Sequence, residues 1–353
     1  VWLTASPQNS VIVDFIAFFS HTFRMPLFFL IAGFFAALLV KKRGLGAMLK
    51  NRLLRITIPF AIFLPSVMTA FAILIGWAME NVQEQSPMLG LIAMMAQYPD
   101  APAPPMTTTH LWFLYQLTFF YIVTAIAVKW LNVDWMSYII KIPKLFLLLA
   151  PFLLVPALIT QHAPTPAPEQ FMPQLWSFGF FGLFFLFGYG LFSHQHFLDK
   201  LRPYVWVMLL TSVAAYILFF QIFPRHTSMQ EIMTVMSTSP AISFKQASMA
   251  TLQAYISVFM SLVLLIIGRS MFNKQNSSMK LIADSSYWTY IIHLPVLWLI
   301  QFALLDKEWT LLVEFLISSV GTVFIGLISY LLFVRWTPIG WLLNGRKIAK
   351  QHT

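Results

Sequence analysis

Nine long apolar runs divide this chain, at about 24–40, 56–78, 108–129, 145–161, 174–193, 203–222, 246–268, 281–303 and 310–335. A helix needs about 20 residues to cross the hydrocarbon of a bilayer. In lipid the backbone must also satisfy its own hydrogen bonds, so each run is expected as a helix. The 145–161 run is the weakest of the nine. Segment 11–22 is too short to span and reads as a re-entrant or interfacial helix. The expected fold class is therefore all-α, a polytopic membrane helix bundle with about nine transmembrane helices. Composition agrees, because 59% of the 353 residues are hydrophobic and only 10% are charged. A soluble chain carries about 25% charged residues.

The net charge of +10 raises the question of nucleic acid. The distribution of charge answers it. Eighteen of the 22 Lys and Arg fall in five segments: 41–55, 129–144, 194–202, 269–280 and the tail from 335. Only Arg24, Arg225, Lys245 and Lys307 lie elsewhere, and of the acids only Asp134, Asp199 and Asp284 share the basic side. Short basic loops alternating with apolar spans follow the positive-inside rule. The expectation is a multi-pass protein of the cell (inner) membrane with a cytoplasmic C-terminus and no nucleic-acid partner. With nine helices the N-terminus would lie outside, so one further helix is expected before Val1, giving ten, with residues 1–353 an N-terminally truncated single domain.

There is no cysteine, hence no disulfide, thiol catalyst or Cys-based zinc site. No metal is expected. His194, His196 and His162 lie in loops and read as solvated. The outer segments 79–107 and 222–245 are the longest loops, and Pro99, Pro102, Pro104 and Pro105 make the first one extended rather than helical.

Ionisable groups at membrane depth are costly, so each is a candidate for function. His21 and Arg24 stand three apart just before a strongly apolar span, with Pro26 placed as a first-turn proline. Arg24 equally suits snorkelling at the interface. Arg52 and Arg55 share a face where the next helix enters the bilayer; their planar donor forks suit phosphates, and they also suit plain positive-inside anchoring. His110, Trp112 and Tyr115 open a span, the two aromatics fitting an interfacial belt. Ser286, Tyr290 and His293 recur at i, i+4 and i+7 within a span, a polar stripe that must face the bundle interior or a water-filled cavity. Pro295 would kink that helix and free a carbonyl near His293. Glu314 lies about one turn into the last span.

The segments HTFRMPLFFLIAGFF, RLLRITIP, HLWFLYQL, SSYWTYIIHLPV and VRWTPIGWLLNG, in that order, resemble the acyltransferase-3 family of membrane-bound acyltransferases over about residues 14–346. The closest look is to relatives of glucan biosynthesis protein C. The resemblance implies transfer of an acyl group, acetyl or succinyl, from cytoplasmic acyl-CoA to a hydroxyl of an extracytoplasmic glycan. It implies no permanently bound cofactor, only acyl-CoA as donor. In that reading His293, Tyr290, Ser286 and Arg24 are catalytic and Arg52 and Arg55 hold the phosphates of CoA. His110, Trp112, His21 and Glu314 contact the acceptor. The family also carries a His at the end of its first helix, taken as the base, and that helix would precede Val1. The rival from another class is a polytopic transporter or flippase, which would commonly show two matching halves; no such repeat is visible here.

Overall fold

The computed structural model describes residues 3–4, 10–98, 106–130, 134–224, 238, 240–272, 276–307 and 309–345. Pro99, Pro102, Pro104, Pro105 and Arg225 lie outside these residues, as does most of 222–245. Among the described residues there is no strand and there are eight helices long and apolar enough to cross a membrane. They are α1 (Val11–Arg43), α2 (Leu45–Asn81), α4 (Thr109–Trp130), α6 (Leu175–His194), α7 (His196–Ile222), α8 (Phe244–Met271), α9 (Ser277–Leu304) and α10 (Leu311–Val334). Shorter helices are α3 (Pro87–Met95), α5 (Pro143–Leu158) and α11 (Pro338–Asn344). The all-α membrane bundle is thus as expected. The 145–161 run forms a shorter apolar helix, about 24 Å long at 1.5 Å per residue.

Two elements differ from the sequence reading. Segment 11–22 and the first span are one helix of 33 residues, with Pro26 in its interior rather than at its start. Segment 79–107 is not wholly extended: Ser86 Oγ accepts from Leu89 N at 3.1 Å and Pro87 follows as the first helical residue, so the local cap signal starts α3.

The chain divides into two compact units. The first contains Val1–Val11, Arg52–Tyr115 and Gln275–Thr353, and the second Ile12–Asn51 and Gln116–Lys274. In the first, α9 packs along α10 and against α2. Gly326 permits the α9–α10 approach, since a Cβ there would run into Thr289. Trp288 Nε1 donates to Ser329 Oγ at 3.0 Å across the same pair. In the second, α7 lies along α8, and α8 packs on α5. Gly33 and Gly188 meet the carbonyls of Phe185 and Leu30 reciprocally, so α1 and α6 cross at backbone contact distance. Small residues at such crossings are the usual means of bringing membrane helices together. His194, expected to be solvated, has Nε2 3.2 Å from the Asp134 carboxylate, and His162 Nε2 lies 2.7 Å from Thr238 O.

Three prolines within helices share one solution. Each lacks the N–H that would serve the carbonyl four residues back. For Pro26 that carbonyl is Thr22 O, which accepts from Ser257 Oγ at 2.6 Å. For Pro59 it is Arg55 O, which accepts from Tyr287 OH at 2.8 Å. For Pro295 it is Ile291 O, which lies 2.9 Å from His110 Nε2. A carbonyl left bare at membrane depth would cost several kcal/mol. A neighbouring helix supplies the donor in all three.

Candidate functional site

A group of ionisable and polar side chains in the first unit gathers around the third of these prolines. His110 enters from the tight turn Thr109–Leu111 that starts α4. Its approach is strained, because Thr109 adopts φ +48°. A β-branched residue in that region costs about 1–3 kcal/mol and persists only where the surroundings enforce it. Tyr290 and His293 come from α9. The His110 and His293 rings stand perpendicular at 5.0 Å between centroids, and Tyr290 lies 5.9 Å from His110 and 5.7 Å from His293. Phe71 at 5.8 Å and Phe113 at 6.1 Å close the sides, and Trp298 backs Phe71 at 4.3 Å.

The hydrogen bonds fix both tautomers. A carbonyl can only accept, so the ring nitrogen facing one must carry the proton. His110 Nε2 faces Ile291 O, and therefore Nδ1 holds the lone pair. That Nδ1 is buried without a hydrogen-bond partner among the described residues. His293 Nδ1 faces Tyr290 O at 2.5 Å, so its lone pair lies on Nε2. Tyr290 OH donates to His110 O at 2.6 Å, which commits the phenol proton to holding the turn. The result is two imidazoles held side by side, each donating one ring N–H to a backbone carbonyl.

The other sequence candidates separate. Ser286 is exposed and its hydroxyl donates to Ala283 O on its own helix at 2.8 Å, so the stripe of three is reduced to Tyr290 and His293. Trp112 is buried, 7% exposed, instead of forming part of an interfacial belt. Tyr115 packs on Phe60 at 5.4 Å. Glu314 sits in the first turn of the helix Leu311–Ser329, where a carboxylate is favoured by the helix dipole. The carbonyl that Pro295 frees is taken by His110 and not by His293.

Arg52 precedes a π turn, Leu53–Thr57, that carries Arg55. Such widened turns often mark functional positions. Arg55 Nη1 donates to Asn344 O at 3.2 Å, at the C-terminus of α11 where a cation is favoured. Asn344 Nδ2 donates to Asp284 O at 2.7 Å, tying α11 to α9. Gly345 has φ +84°, and a Cβ there would strike the Arg55 guanidinium. Arg55 thus has a structural engagement that the sequence did not reveal.

His21 and Arg24 lie in the second unit. His21 Nε2 is 3.0 Å from Thr165 O, and Gln253 donates to Thr165 Oγ1. Arg24 is exposed on α1.

Sequence comparison adds one positive finding. A family model described as an acyltransferase domain matches residues 2–331. No curated protein and no solved structure matches the chain.

Proposed function

The chain belongs to this acyltransferase family and is a multi-pass membrane acyltransferase, and on that premise we propose that it moves a short acyl group, acetyl or succinyl, from cytoplasmic acyl-CoA to a hydroxyl of an extracytoplasmic glycan. The pairing of His110 and His293 is the observation that carries the reading. A sugar hydroxyl attacking a thioester must lose its proton, and a ring nitrogen that holds a lone pair is suited to take it. In this mechanism the acceptor oxygen forms a bond to the thioester carbonyl while His293 Nε2 takes the hydroxyl proton. The tetrahedral intermediate collapses, the C–S bond breaks, and the departing thiolate regains that proton as free CoA.

His110 Nδ1 supplies a second acceptor, so a neighbouring sugar hydroxyl can be held in the same cluster. Tyr290 acts as a positioning residue through its hydrogen bond to His110 O. Arg52 engages the phosphates of CoA on the cytoplasmic side, and Arg55, half-engaged by Asn344, assists it. In this reading the C-terminus is cytoplasmic and the enzyme lies in the inner membrane, which the short basic loops support. The likeness of the RMPLFF segment to relatives of glucan biosynthesis protein C supports a glucan-type acceptor.

The substrate reading is tested by weighing envelope glycans from cells with and without the gene. Loss of acetyl or succinyl substituents in the deletion, restored by the intact gene, is the expected result. Glycans of identical mass in both strains would overturn this choice of acceptor.

A further inference from the structure

The second unit contains a cavity of about 230 Å³ that the acyl-transfer reading does not use. Its walls are almost entirely hydrocarbon, with Phe146 and Leu154 from α5, Phe184 and Phe187 from α6, and Val258 from α8. It is open on one side, and α5, at 16 residues, is too short to cover the full depth of the bilayer. Trp135 and Ile139 also line it. Basic residues flank these two in the chain. Lys141 follows Ile139 by two residues, Lys144 precedes Phe146 by two, and both are exposed. Lys200 Nζ donates to Ile140 O at 3.2 Å, adding a third positive charge there. Trp135 is held at this rim by Gly190, whose Cα lies so close to the indole that a Cβ would clash with it.

We infer that this groove is a binding site for one anionic phospholipid, its acyl chain lying between α5, α6 and α8 and its phosphate on Lys141 and Lys144. A slot lined by Leu, Phe and Val suits an alkyl chain and offers nothing to a polar ligand. The lysines at its mouth select the sign of the headgroup, since each basic side chain near an anionic lipid surface contributes about 1 kcal/mol. An indole at the rim is in its preferred interfacial position. The inference stands on the second unit alone and does not depend on which acyl donor or acceptor the enzyme uses.

Native mass spectrometry of the full chain tests it. The protein would be taken from mild detergent into an equal mixture of phosphatidylglycerol and phosphatidylcholine. The wild type is expected to retain one phosphatidylglycerol, preferred by about tenfold or more. Lys141→Gln with Lys144→Gln, both at exposed positions, should abolish the preference while leaving a lipid bound. Leu154→Trp, which fills the groove, should lose the lipid. Equal retention of both lipids by the wild type, or an unchanged preference in the double lysine variant, would overturn the inference, and neither depends on Leu154→Trp folding.

Discussion

His110 Nε2 lies 2.9 Å from the carbonyl oxygen of Ile291, the one carbonyl in α9 that Pro295 deprives of its helical donor. A helix defect and a ring tautomer are therefore the same structural fact. Proline removes a hydrogen bond, the imidazole replaces it, and the replacement leaves Nδ1 basic.

Pro295→Ala tests this coupling. The new N–H at position 295 would compete for Ile291 O and release the His110 ring. Thermal stability in detergent should hold or rise, because proline disfavours a helix interior. Acyl transfer should fall about tenfold, the equivalent of one hydrogen bond in the barrier. Full activity with lowered stability would mean that the contact only braces the helix.

Ser257 plays the corresponding part for Pro26. Ser257→Ala should cost about 1–3 kcal/mol, the penalty for leaving Thr22 O unsatisfied. Combined with Pro26→Ala, which restores a helical donor to Thr22 O, the loss should be largely recovered. Additive effects of the two substitutions in thermal unfolding would refute the pairing.

These two contacts also mark the limit of what the sequence discloses. Apolar runs gave the membrane bundle and the site helices directly, because length and polarity decide what can live in lipid. The break placed between 22 and 24 was wrong for a physical reason. Pro26, Arg24 and His21 look like a helix boundary locally, and the donor that lets the helix continue sits 235 residues away on α8. The donor to Ile291 O is 181 residues distant. Helical spacing correctly put Tyr290 and His293 together. It could not tell that Ser286, one turn nearer the helix start, lies where its hydroxyl turns back to Ala283 O. Nor could it show Trp112 buried, since an aromatic at the mouth of a span suits either lipid or core.

The two arginines of α2 should behave differently. Arg52→Ala is expected to raise the KM for acyl-CoA about tenfold or more, as loss of a charge-assisted phosphate contact would. Arg55→Ala should lower stability as well, by releasing Asn344 O at the end of α11. Steady-state kinetics and melting curves on the two variants separate the roles. An unchanged KM for acyl-CoA in Arg52→Ala would contradict its role.

Glu169 gives a pH signature outside the spans. Burial raises its carboxyl pKa above the ordinary value. The folded protein therefore keeps this proton to higher pH than the unfolded chain does. Its contribution to stability is fully present below the unfolded pKa, about 4.3, and is lost as pH rises through the raised folded value. Melting temperature against pH should show this decline, and Glu169→Gln should remove it. A variant whose profile matches the wild type would refute the assignment.

Handling of the acceptor proton by the His110–His293 pair is tested by transfer of a labelled acyl group from acyl-CoA to oligosaccharide in vesicles containing the full chain. His293→Gln and His110→Gln, each confirmed to be folded, should lower the rate by about 10²-fold or more, with acyl-CoA binding retained. Rates within about twofold of wild type in both variants, a difference in barrier of under 1 kcal/mol, would contradict the account.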